Sequence, residues 1–175
     1  IPKDITVLDW GYESIYPYER HCKMLQSASL NYMVCPGTNS WTSITGRTDN
    51  MLATIESATT NGYKYGAKGM LLTDWGDMGH WQYLPVSYAG YTVGGALSWN
   101  SKSSKNLPLS AFLNSYVFKD KNSVMGDLVL DLGRYSRYEE IPVPNMTTTL
   151  MAFQFGMRDK IMISAIINKM INGIT

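Results

Sequence analysis

Three short clusters in the sequence mix carboxylates, amides and indoles: Asp9, Trp10, Tyr12 and Glu13; Thr38, Asn39 and Trp41; and Asp74, Trp75 and Asp77. An indole face stacks on the axial C–H bonds of a pyranose, and acidic oxygens accept from its hydroxyls, so the combination suits a sugar. The tryptophans also suit a plainer role, as large core side chains at strand ends. Recurrence of the cluster three times favours a site. Other chemistries lack their residues. No Gly-x-Gly-x-x-Gly follows a strand pattern and no Gly-x-x-x-x-Gly-Lys occurs, so the phosphate cradles of dinucleotide and P-loop proteins are missing. His21 and His80 are the sole histidines, and neither has a ligand partner at i+4 or a cysteine pair nearby, so neither a metal nor any cofactor is expected. A Gly-x-Ser-x-Gly nucleophile elbow is absent as well. Arg47 could clamp an anion or simply brace its loop, and Glu139-Glu140 reads as a solvated pair.

Each cluster closes a segment that reads as a buried strand. Ile5 to Trp10, Asn31 to Cys35 and Gly69 to Thr73 are short apolar runs without helical spacing. Helical patterns lie between and after them. The first follows Pro17, with Tyr18, Cys22 and Leu25 on one face; the second is capped by Thr48 or Asp49 and ends near Asn61-Gly62; the third runs from near Pro85 to about Trp99. Three strand–helix units predict a parallel sheet with right-handed crossovers, and ligand sites in such folds sit at the carboxyl ends of the strands. A polar stretch from Ser98 to Asn106 then separates residues 1–100 from a helical region, 107–175, with helices predicted near 108–118, 122–138, 146–157 and 159–172.

The 175 residues carry 15 lysines and arginines against 14 acidic residues, so no basic excess marks a nucleic-acid partner. A hydrophobic fraction of 45% with 17% charged residues describes a folded chain. No apolar run approaches the roughly 20 residues that span a bilayer, so no membrane partner is expected. Two cysteines, Cys22 and Cys35, exclude a disulfide framework. The start at Ile1 and the apolar residues all round the wheel near the far end (Ile161, Ile163, Ile166, Ile167, Met170, Ile171) read as a piece of something longer.

At Trp41 to Asn50 (WTSITGRTDN) and Gly66 to Gln82 (GAKGMLLTDWGDMGHWQ), the sequence resembles the later part of the catalytic barrel of family 20 glycoside hydrolases, the β-N-acetylhexosaminidases. The likeness covers roughly residues 1–100. It implies an α/β fold, a partial (β/α) TIM-type barrel made of the last three strand–helix units, followed by a helical appendage. Ile5 to Trp10 then resembles strand six, Tyr32 to Cys35 strand seven and Met70 to Thr73 strand eight. The resemblance implies that Trp10 and Trp75 line the sugar pocket, that Asp77 stands where the family usually has a glutamate, and that Asn39 and Trp41 join them from the strand-seven loop. The family's hydrolysis is substrate-assisted and uses an Asp-Glu pair on strand four. No Asp-Glu dipeptide occurs here, so the catalytic residues are expected upstream and none in this chain.

Two functions remain open on these residues. The first is a part of a glycoside hydrolase removing terminal N-acetylhexosamine or a related hexose from glycans, inactive alone. The second is a non-catalytic carbohydrate-binding or assembly module. A doubly wound α/β protein is a third, less favoured architecture. The expected partners are a carbohydrate and, through unpaired strand edges, either a second copy or the missing part of the barrel.

Overall fold

The computed structural model describes residues 2–139 and 143–155. The chain is mixed α/β. Strand β1 (Thr6–Trp10) pairs in parallel with β2 (Asn31–Cys35), register Leu8 opposite Met33 and Trp10 opposite Cys35. The crossover helix α1 (Tyr18–Ser27) buries Tyr18, Cys22 and Leu25 against Tyr32 and Val34 of β2 and Ala58 of the next helix. These are the positions that helical spacing assigned to its inner face.

The predicted third strand is only partly a strand. Residues 68–73 run parallel to β2 and exchange backbone hydrogen bonds with it: Val34 N to Gly69 O at 3.2 Å, Leu71 N to Val34 O at 3.0 Å and Thr73 N to Pro36 O at 2.9 Å. Only two isolated bridges, Val34–Met70 and Gly37–Thr73, mark the pairing, so the regular sheet has two strands among the described residues. Gly69 at one end and Pro36-Gly37 opposite the other leave few residues to hold a full ladder.

Nor are the strands buried on both faces. Leu8 is 48% exposed and Leu71 45%, on the face of the sheet turned away from α1. The opposite face carries the helices. Helix α2 (Thr48–Lys64) extends past the predicted stop at Asn61-Gly62, because Gly62 packs within the helix against Val34, where an added Cβ would lie 3.1 Å from a Val34 methyl. The chain instead turns out of the helix after Tyr65, at Gly66 with φ of 78°. Thr48 does not cap α2. Its hydroxyl donates to Leu130 O at 2.9 Å, and its N–H to Gly133 O, so two residues of the later region close the helix start.

A 3-10 turn (Leu84–Ser87) leads into α3 (Tyr88–Trp99). Beyond the polar stretch, α4 (Leu109–Phe112) continues as π-helical turns through Phe118. The predicted helix over 122–138 is shorter, being α5 (Met125–Leu132) followed by a separate turn at Tyr135–Tyr138. Its start is set by Asp120, whose carboxylate accepts from the N–H groups of Asn122, Val124 and Met125. Helix α6 (Thr148–Phe155) matches the pattern read near 146–157, while the one read over 159–172 lies outside the described residues. Leu113 and Leu130 share one apolar cluster with Met51, Ile55, Ala89, Val93 and Leu97. Residues 109–132 therefore form an outer layer on α2 and α3, while Gln154 of α6 reaches the loop that follows residues 68–73, its Nε2 donating to Met78 O at 3.0 Å.

Candidate functional site

Side chains along a strand alternate between faces, and Leu8, Trp10 and Tyr12 follow that period of two, as do Leu71, Thr73 and Trp75. Both sets reach the open face. Together with Cys35 and Asp77 they line a cleft of about 540 Å³ at the carboxyl ends of the strands. Trp10 is 62% exposed and Trp75 47%. Neither is a core residue.

Tyr12 organises the cleft. Its ring stacks on Trp10 with centroids 5.6 Å apart and planes inclined by 28°, its hydroxyl accepts from Trp75 Nε1 at 3.0 Å, and it makes a T-shaped contact with the Trp41 indole, centroids 5.0 Å apart. Two indoles from different strand ends are thus fixed through one phenol. Asp77 opens a turn, Asp77–Gly79, followed by His80; Met78, Gly79 and His80 all have positive φ, of 56°, 98° and 55°. Such backbone is uncommon for residues with a Cβ and concentrates at functional loops. The cleft is mostly apolar, with a carboxylate and a hydroxyl at its rim, which is how a saccharide site divides its contacts.

Of the five residues singled out from sequence, Trp10, Trp75 and Asp77 surround this cleft, whereas Asn39 and Trp41 do not line it. Both are fully buried. Trp41 lies under the cleft, across the backbone of Gly37, where an added Cβ would fall 2.2 Å from the indole. Its Nε1 donates to Asn145 Oδ1 at 2.9 Å. Asn39 holds a φ of 50°, and its carbonyl accepts from Arg47 N at 3.1 Å, so it shapes the loop that leads into α2. Tyr12, by contrast, belongs to the cleft, and the spacing Leu8, Trp10, Tyr12 was the signal for it.

Two hydrogen-bonded networks, each partly open to solvent, hold the loops that carry these side chains. Asp74 Oδ1 accepts from Thr38 at 2.5 Å, Ser40 at 2.7 Å and Ser87 at 3.1 Å, and Oδ2 accepts from Tyr91 at 2.6 Å. Burial alone would raise this carboxyl, but the four donors outweigh it and hold Asp74 below the ordinary range. Tyr91 is pushed up to about 12 by burial and by the Asp74 charge. The network joins the ends of β2 and of residues 68–73 to the start of α3, one residue before Trp75. In the second network Arg47, only 5% exposed, donates from Nη1 to both oxygens of Glu13, at 2.9 and 3.2 Å. That pair gives Arg47 a bracing role through Nη1, while its Nε and Nη2 are buried without a hydrogen-bond partner among the described residues.

His21 is engaged too. Its Nδ1 lies 3.0 Å from Asp9 Oδ1 and 2.9 Å from the Tyr16 hydroxyl, on the helix side of β1, so Asp9 faces away from the cleft although Trp10 faces into it. Among the described residues no group of three or more His, Cys, Asp or Glu is placed to hold a metal ion, and no helix is long and apolar enough to cross a membrane. Compared with known proteins, the chain matches no protein-family model and no curated protein at a significant level.

Proposed function

We propose that this chain forms part of the (β/α) barrel of a family-20-type glycoside hydrolase and supplies the sugar-binding wall of its active site. The observation that carries the reading is the gathering of Trp10, Tyr12, Trp75 and Asp77 around one open cleft at the carboxyl ends of parallel strands. The exposed face beside it supports the barrel. Leu8 and Leu71 sit where a barrel interior would be filled from other strands, and β1 keeps one edge unpaired among the described residues. That edge and face are where the remaining strands, or a second copy, would pair.

In this reading the indoles of Trp10 and Trp75 take the apolar faces of an N-acetylhexosamine or related hexose, and Asp77 accepts from a hydroxyl. Asp77 is one methylene shorter than the glutamate usual at this place, so the sugar must approach the turn at Asp77–Gly79 more closely. Protonation of the leaving oxygen falls to an Asp-Glu pair contributed from outside these residues. General acid catalysis contributes about 10²- to 10⁴-fold, so the chain alone binds sugar without hydrolysing it.

Titration with N-acetylglucosamine tests the reading. Tryptophan emission changes with a dissociation constant of about 1 mM or weaker, a range of only about 4 kcal/mol that suits a site with one wall. Trp75→Ala abolishes the change, while Asp77→Asn weakens it less, because a carboxylate at an exposed rim competes with water. An unchanged emission spectrum in folded protein refutes the site. Hydrolysis of an aryl N-acetyl-β-glucosaminide that disappears in Asp77→Ala refutes the division of labour.

A further inference from the structure

The saccharide cleft has a support that its own strands do not provide. Asn145, with φ of 58°, lies more than a hundred residues beyond Trp41 and yet bonds to two strand-end loops at once. Its N–H donates to Glu13 Oε1 at 2.6 Å, its Oδ1 accepts from Trp41 Nε1 at 2.9 Å, and its carbonyl accepts from the Thr42 hydroxyl. Thr147 adds a backbone bond, its N–H donating to Thr42 O at 3.0 Å. The loop held in this way is not relaxed. Thr42 has a φ of 49°, and a β-branched residue adopts that conformation only where its surroundings impose it. Thr42 is also 3% exposed, so water does not satisfy its groups in place of Asn145 and Thr147.

From these contacts the geometry points to residues 145–147 as a positioning element for the sugar-binding wall, with Asn145 acting through Trp41. The steps are short. Asn145 fixes the azimuth of the Trp41 indole; the edge of that indole meets the Tyr12 ring at 86° and 5.0 Å; Tyr12 in turn stacks on Trp10 and accepts from Trp75. Trp41 is fully buried, so no free volume absorbs its displacement and the ring contact passes it to Tyr12. A rotation of Trp41 therefore moves Tyr12, and with it the spacing of the two exposed indoles. Residues 145–147 thereby set the geometry of a cleft whose lining they do not supply. This inference rests on the saccharide reading of the cleft for its function, though not for its mechanics.

Asn145→Ala removes the Oδ1 acceptor and leaves both backbone contacts, so it isolates the step through Trp41. Two readouts on the whole 175-residue chain separate the mechanics from the function. The first is the position of the Trp10 and Trp75 indole N–H resonances without sugar, which the relay shifts. The second is the affinity for N-acetylglucosamine, which falls about five-fold, as for other coupled neighbours. In a Trp41→Phe background, where no indole N–H needs a partner, Asn145→Ala produces no further change in either. Unshifted Trp10 and Trp75 resonances in folded Asn145→Ala overturn the relay, as does an equal effect of Asn145→Ala in the Trp41→Phe background. If the resonances shift as expected and the parent chain binds no sugar, the relay stands and the saccharide reading fails.

Discussion

Replacing Asp74 by asparagine keeps the shape of the side chain and removes its charge, which makes Asp74→Asn a direct measure of what that charge holds together. Three hydroxyls converge on Oδ1 and one on Oδ2. A hydrogen bond to a charged acceptor contributes about 1.5–3 kcal/mol against about 0.5–1.5 kcal/mol for a neutral one, so each bond weakens by about 1 kcal/mol. Water reaches part of the carboxylate and the Tyr91 side, and screening there removes about half of the sum. The expected loss of unfolding free energy at pH 7 is therefore about 2 kcal/mol. The pH dependence follows from the direction of the shift. A carboxyl held below its ordinary value of 3.8 stabilises the fold fully above that value and loses the contribution as pH falls through the folded value. Urea unfolding of the two proteins should thus differ by about 2 kcal/mol at pH 7, and the difference should shrink as pH falls below 3.8 through the lowered folded value. A difference under about 0.5 kcal/mol at pH 7, or one that does not shrink as pH falls below the ordinary carboxyl value of 3.8, refutes the assignment of Asp74 as the charged tie between strand ends and α3.

Two glycines of α3 separate close packing from helix propensity. In Gly90→Ala the new Cβ lies 2.9 Å from both Cα and Cβ of Thr38, so overpacking of about 1–3 kcal/mol exceeds the propensity gain and the protein loses stability; in Gly95→Ala, with nothing within 4 Å, it gains up to about 1 kcal/mol. Urea midpoints that move in the same direction for both refute the packing. The cysteines provide a chemical test, because burial pushes the Cys22 thiol up to about 11 and raises Cys35 as well, the Asp9 charge adding to both. Iodoacetamide at pH 8 should leave both thiols of the native protein unmodified and label both in urea, the Cys22 thiolate alone being roughly 100-fold scarcer than in a free cysteine. Rapid labelling of native Cys22 contradicts its burial on the inner face of α1.

What the sequence made legible was local. Tyr18, Cys22 and Leu25 recur at helical spacing, and α1 buries those three; the apolar runs at 6–10 and 31–35 became parallel strands in the register a crossover helix allows. Legibility declined where a partner distant in sequence decides the outcome. Gly62 signalled a helix end, but it serves contact with Val34, so α2 continues to Lys64. Thr48 had the right side chain for a cap, and Leu130 claims its hydroxyl. The apolar character of Leu8 and Leu71 suggested burial on both faces, yet these residues meet solvent. Residue type alone cannot distinguish a side chain covered by this chain from one that another set of strands would cover.

The candidate site shows the same division in sharper form. Trp10, Trp75 and Asp77 could be read because each follows a strand end, and strand ends are where parallel sheets place ligand contacts. Trp41 and Asn39 follow a strand end as well, and they are buried. The difference arises from alternation and from Asn145 together. Period two brings Tyr12 up beside Trp10, whereas Gly37 opens a space into which Trp41 folds, and Asn145 then accepts its indole N–H. An indole with a buried hydrogen-bond partner is a structural element, and one whose face is open is available to a ligand. The two kinds are neighbours in this protein, linked by Tyr12. The exposed pair could therefore tolerate changes to its own surface contacts more readily than a change at Trp41, since Trp41 has no solvent into which it can relax.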